Sequence, residues 1–299
     1  MEQPGDQAEK TIPVIEDSAV SKQTKGQTTA VTEGQPEKEP VEPVQFLAGC
    51  GQSVGRQRDH NEDALFTLTT NLITDIRQIP FGLYIVADGM GGHQNGEKAS
   101  ASAVRAMAGH ILRKLYIPLL YPAAKPPEQS IQEIMQEGVH EAHRSIIKQA
   151  IGGGTTLTTV LLLGDQMTIA HVGDSRVYLF QPDGKVEVIT RDHSLVKRLE
   201  ELGQITAEEA AVHPQRNVLY RALGQGEPFD PDTSSTPIPH GARLLICSDG
   251  LWGQATEQEL SEIVWTAQSP ELACQQLLDL ANASGGPDNI TAILVKLPD

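Results

Sequence analysis

Leu83-Tyr84-Ile85-Val86-Ala87-Asp88-Gly89 is an unbroken apolar run, too short for a helix, that stops at a carboxylate and a glycine. It reads as a buried strand. Leu244-Leu245-Ile246-Cys247-Ser248-Asp249-Gly250 has the same form much further along the chain. Asp288 opens the run Asn289-Ile290-Thr291-Ala292-Ile293-Leu294-Val295, and Asp63 closes Arg58-Asp59-His60-Asn61-Glu62. Carboxylates at strand ends, from segments far apart, are what a hard divalent-cation site looks like before folding. Brought together they repel one another, and a cation is what makes such a cluster tolerable.

Outward from these runs, residues 45–53 and 64–69 read as short strands around the polar turn that carries Arg58 and Asp63. After Asp88 a glycine-rich loop leads into an Ala-rich helix over 97–115, which Pro118 and Pro122 should terminate. A second helix is expected over 128–150, with Ile134, Met135, Val139, Ala142 and Ile146 on one face. Gly152-Gly153-Gly154 breaks it. Strands follow over 155–163, 167–173, 176–181 and 186–189, joined by Gly-Asp and Pro-Asp-Gly turns. Residues 192–224 are polar and charged and read as a surface insertion. A strand over 243–247, helices over 256–267 and 270–283, and a strand over 291–296 close the chain. Tight turns between successive strands mean antiparallel pairing, and the helices arrive in pairs. The expected class is α+β, a four-layer α-β-β-α sandwich whose two central antiparallel sheets are flanked by helix pairs.

The first 44 residues hold no Leu, Phe, Tyr, Trp or Cys, and nine acidic residues against four Lys. Such a stretch cannot bury enough apolar surface to offset its ordering entropy. Residues 1–43 are therefore expected to be a disordered acidic tail, and 44–299 one domain with a substantial core. The formal charge of −16 argues against nucleic acid or an anionic membrane as partner. No uncharged run reaches the ~18 residues of a spanning helix, and the N-terminus lacks the basic and apolar regions of a signal peptide. Three widely spaced cysteines read as reduced thiols, so the expected compartment is the cytoplasm.

Each motif also has an ordinary reading. Asp88-Gly89 alone is a common turn pair. The following Met90-Gly91-Gly92-His93 lets the backbone pass close to an ion and offer a carbonyl. Asp288-Asn289 reads also as a turn or, with Thr291, as a glycosylation sequon. Asp174, in Gly173-Asp174-Ser175-Arg176, is either a turn residue paired with Arg176 or a further cation ligand. Arg58 beside an acidic ion site is a candidate phosphate clamp. His93 is a loop histidine or an acid catalyst, while His60, His171 and His193 take structural readings. Gly152-Gly153-Gly154-Thr155-Thr156 lacks the lysine of a phosphate-cradling loop and precedes a strand, so close strand packing explains it better.

Taken together, Arg58 to Asp63, Asp88 to His93, Gly154-Thr155-Thr156, Gly173 to Arg176, Ser248-Asp249-Gly250 and Asp288 to Thr291 resemble, in order, the metal-dependent serine/threonine protein phosphatases of type 2C in their bacterial form. The resemblance spans about 47–297. It implies that Asp88 bridges two metals, Mn²⁺ or Mg²⁺, with the Gly89 carbonyl on one of them. Asp249 and Asp288 would hold the other, and Glu62 or Asp63 would complete the shell directly or through water. Asp174, with Asp249, matches a third, weaker metal site, and Arg58 matches the phosphate-binding arginine. Residues 192–224 match a flap that influences substrate choice. Where eukaryotic members place their proposed acid directly after Asp-Gly, this chain has Met90, with His93 three positions on.

The implied chemistry is hydrolysis of phosphoserine and phosphothreonine in proteins, the substrates of a serine/threonine kinase, by in-line attack of water acidified between two cations. The alternative is a catalytically inactive domain that binds phosphoproteins. Every carboxylate position is filled, which an inactive domain would not need.

Overall fold

The computed structural model of the protein describes residues 46–73, 78–91, 94–121, 129–226 and 230–299. The expected acidic tail, His93, Pro122 and Glu128 lie outside them.

Two five-stranded sheets form, and every pairing is antiparallel. The first sheet runs β1 (Leu47–Ser53), β12 (Ile290–Lys296), β11 (Arg243–Cys247), β8 (Arg176–Phe180), β9 (Val186–Val188). The second runs β10 (Asp232–Pro237), β7 (Gln166–Val172), β6 (Leu157–Leu163), β3 (Gln78–Ala87), β2 (Ala64–Ile73). A small ladder joins β4 (Gly89–Met90) to β5 (Gly154–Thr155). Of the triple glycine only Gly154 therefore lies in strand packing, while Gly152 takes the turn at φ 82° and a Cβ on Gly153 would stand 2.4 Å from the Asn95 carbonyl.

The apolar runs are continuous because both faces of each central strand are buried. On β3, Phe81, Leu83 and Ile85 face α1 (Gln94–Ile111) and α3 (Ile131–Gln149), while Tyr84 and Val86 face the other sheet. On β11, Leu244 and Ile246 point between the sheets, and Leu245 and Cys247 point at α7 (Glu257–Thr266) and α8 (Pro270–Ala283). Side chains alternate with period two, so one strand feeds two cores. Each fully buried Leu, Ile or Val adds about 1.5–3 kcal/mol over exposure. Three cores between four layers realise the expected sandwich.

Several boundaries differ from expectation, each for a local reason. The α3 helix begins at Ile131 because Ser130 caps it and Glu133 reaches back to the Ser130 N–H. Pro118 does not end the preceding helix. A π-helical turn (Leu112–Tyr116) follows α1, and Pro118 sits early in the next short turn, α2 (Ile117–Leu119), where a missing N–H is tolerated. The β3 strand starts five residues earlier than its apolar run, at Gln78, with Pro80 lying before its pairing to β6 begins. β10 went unread altogether. Its sequence Asp232-Thr233-Ser234-Ser235-Thr236-Pro237 is polar because it is an exposed edge strand.

The topology gathers the strand ends that matter. In the second sheet Ala64 faces Ala87, Val86 faces Thr158 and Leu157 faces Val172, so the start of β2 and the ends of β3 and β7 share one edge. In the first sheet Ser53 faces Ile290, and Cys247 faces both Ala292 and Arg176. The turn 173–175, between β7 and β8, joins the two edges at the same end of the sandwich.

Candidate active site

At that end a cleft of about 400 Å³ is lined by Arg58, Glu62, Asp88, Gly89, Asp174, Asp249 and Asp288. Seven of the nine sequence-predicted site residues thus line one cleft. Asp63 does not. It is 8% exposed and lies behind the others, its Oδ2 accepting from Ser248 Oγ at 2.9 Å and Thr291 Oγ1 at 2.6 Å. His93 lies outside the described residues. Among the described residues no three acidic, histidine or cysteine side chains form a compact preformed cage. The Asp288 carboxylate is turned to Arg58, 2.8 Å from its Nη2.

Hydrogen bonds to their own backbone groups hold Asp88 and Asp174 in place, and a helix start positions Asp249. The Asp88 N–H donates to Thr156 Oγ1 at 2.9 Å, and its carbonyl accepts from the Thr156 N–H at 2.9 Å and Thr155 Oγ1 at 2.8 Å. Gly89 must be glycine, since a Cβ there would stand 2.4 Å from the carbonyls of Glu62 and Gly96. Asp249 is the first residue of α6 (Asp249–Trp252), whose last residue donates from its indole N–H to the Asp174 carbonyl at 3.0 Å. Arg176 does not pair with Asp174, one of the two readings its turn allowed. Its bidentate partner is Asp192, at 2.7 and 3.1 Å, and its guanidinium stacks 3.6 Å over the Trp252 ring.

The cluster is short of positive charge. Burial, then the Asp63, Asp249 and Asp174 charges, holds the Asp88 carboxyl well above the usual carboxylate range. Burial and then Asp249 do the same to Asp174. Asp249 is pushed up to about 6 by burial and then Asp288, and it stands close enough to Asp88 to share a proton. Asp63 is pushed up to about 7, chiefly by burial, against the hydrogen bonds from Thr291 and Ser248. Asp63 Oδ1 and Asp249 Oδ1 are buried and find no hydrogen-bond donor among the described residues. Orphaned carboxylate oxygens, mutual repulsion and an all-oxygen donor set fit hard divalent cations.

The structural readings of the histidines divide. His171 is 1% exposed, bonds Thr158 Oγ1 at 2.9 Å, and burial lowers its pKa to about 4, so it stays neutral. His193 Nδ1 accepts from the Gly173 N–H at 3.1 Å and also serves the fold. His60, by contrast, lines the cleft 3.2 Å from Glu62 Oε1. Thr156, Asn217 and Asn289 line the cleft too. Thr156 and Asn289 belong to motifs that carry the resemblance but have only packing, turn or sequon readings of their own, and Asn217 has none. The resemblance motifs are the signal for Thr156 and Asn289, while nothing in the sequence points to Asn217.

Comparison with known proteins agrees with this geometry. The profile of the family described as Protein phosphatase 2C matches residues 48–290. The serine/threonine phosphatase stp of Listeria innocua is 37% identical over 248 residues, covering 81% of this chain and 92% of that protein. The crystal structure of the Mycobacterium tuberculosis serine/threonine phosphatase PstP superposes with a TM-score of 0.70 at 29% identity, covering 86% of this chain and 100% of that one. A structure of the PstP catalytic domain in complex with two manganese ions has a TM-score of 0.68 at 28% identity, over 86% and 100% of the two chains. With the sandwich, the acidic rim and these relatives in agreement, the chain belongs to the protein phosphatase 2C family.

Proposed function

We propose that Asp88, Asp249 and Asp288, with Glu62 and the Gly89 carbonyl, hold two divalent cations, Mn²⁺ or Mg²⁺, and that Asp174 with Asp249 offers a third, weaker site. The observation that carries this reading is the set of mutually repelling, donor-poor carboxylates around one cleft. Two such cations held there would supply an acidified water for in-line attack on phosphorus and positive charge to offset the phosphoryl oxygens. Asp63 is assigned to the layer behind, where it holds Ser248 and Thr291 and would reach a cation through water. Arg58, 49% exposed at the mouth, turns from Asp288 to the phosphoryl oxygens and clamps two of them. His93 is the proposed proton donor to the leaving oxygen.

The substrate class follows from the space around the cleft. A groove of about 850 Å³ continues from it between the 192–224 flap and Trp252, with Val196, Ala210 and Val212 on its wall. That much half-apolar room suits polypeptide on one side of a phosphorylated residue. The reading is therefore a phosphatase for phosphoserine and phosphothreonine in proteins, opposing a serine/threonine kinase in cytoplasmic signalling, with catalysis resident in 44–299. No described helix is long and apolar enough to cross a membrane. The test is phosphate release from a phosphothreonine peptide. Turnover is expected with Mn²⁺ and not in excess EDTA, and undiminished turnover in EDTA contradicts the reading.

A further inference from the structure

We propose that Asn289 is a positioning residue, which closes the base of the 54–62 loop and thereby aims Arg58 at the phosphoryl group. The inference rests on reading Arg58 as the phosphate clamp. Asn289 is 3% exposed, and its side-chain amide is spent on this loop. Its Oδ1 accepts from the Glu62 N–H at 2.8 Å. Its Nδ2 donates to the carbonyls of Val54 and His60, both at 2.9 Å. A primary amide has two N–H donors, and both go to loop carbonyls. The three contacts lie at the two ends of the loop, with Arg58 between them.

The rest of the loop lies on the turn between α8 and β12. The Arg56 N–H donates to the Gly286 carbonyl at 2.7 Å, and Arg56 Nε to the Asn282 carbonyl at 3.0 Å. Gly55 permits the approach. It has φ of 81°, and a Cβ there would stand 2.2 Å from the Asp288 carbonyl. These outer bonds are exposed or at the surface, whereas the Asn289 bonds are buried or half-buried. Among the described residues the guanidinium of Arg58 bonds Asp288, the neighbour of Asn289, while the Glu62 and Asp88 charges act on it from the cleft. Its aim is inherited from the backbone beneath it. A loop of this length gains many conformers once its base opens. Displacing a positioning group by ~1 Å costs on the order of a hundredfold.

Inhibition by inorganic phosphate, with kcat and KM on a phosphothreonine peptide in saturating Mn²⁺, is measured for wild type, R58A, N289A and the double variant. N289A should weaken phosphate inhibition by about tenfold or more and raise KM, toward the values of R58A. The double variant should be no weaker in phosphate than R58A alone, because Asn289 acts through Arg58. Losses that multiply, or N289A with wild-type phosphate inhibition, overturn the inference while leaving the clamp intact. Wild-type inhibition of R58A overturns the clamp itself and the inference with it. If N289A does not fold, Asn289→Asp keeps the acceptor for Glu62 and removes both donors. Wild-type phosphate inhibition in that variant is equally fatal.

Discussion

Asp249→Asn is expected to lower turnover of a small phosphate ester by on the order of a thousandfold, with the fold intact. The substitution is isosteric, and α6 keeps its length and its Ser248 cap position. What changes is charge. Asp249 faces Asp88 closely enough to share a proton, feels Asp288, and has an Oδ1 with no donor among the described residues. An amide there neither carries the negative charge nor offers two equivalent oxygens, so a cation loses a ligand at the centre of the cluster. Several kcal/mol of charge stabilisation go with it. In EDTA the same variant should unfold no earlier than wild type, because one member of a repelling set is gone. Steady-state kinetics and thermal unfolding together check both halves. Turnover above a tenth of wild type counts against the assignment.

A second large effect concerns stability. Asp249 at about 6 and Asp63 at about 7 both sit above their ordinary value near 3.8, chiefly through burial. Between roughly pH 4 and 7 the folded chain therefore binds more protons here than the unfolded chain does. The stability these two groups contribute is complete below pH ~4 and is lost as pH rises through 6 and 7. Metal-free protein should accordingly have a higher urea midpoint at pH 5.5 than at 7.5 relative to Asp249→Asn, which lacks one of the groups. A divalent cation reverses the sign, since it needs the carboxylates ionised and competes with protons. Mn²⁺ at a hundredfold excess over its Kd should add about 2.7 kcal/mol at pH 7.5. A wild-type chain that gains nothing from Mn²⁺, or whose metal-free form is the more stable at pH 7.5 on this comparison, contradicts the account.

The strands at the heart of the sandwich were legible because both of their faces are apolar, and their terminal aspartates were legible because nothing else explains a carboxylate there. Asp88 and Asp249 could be paired on paper by their shared form. Asp63 could not be separated from Glu62, as adjacent residues on a strand approach point in different directions and only the fold says which meets the cleft. β10 was invisible because an exposed edge strand needs no apolar side chains. The helix that runs past Pro118 depends on a π turn that no local propensity announces. Thr156 and Asn289 act on partners 68 and 227 residues away, so until topology brings the partners in Thr156 reads as a strand-packing residue and Asn289 as a turn or sequon residue. The flap residues Asn217 and Leu219 reach the cleft from a segment whose charge suggested only surface.

The most direct test of the central claim is anomalous diffraction at the manganese edge from crystals soaked in Mn²⁺. Two peaks about 3.5–4 Å apart, with Asp88 between them and Asp249 and Asp288 as ligands, are the predicted result. Manganese bound elsewhere, with the cleft carboxylates holding none, would contradict it.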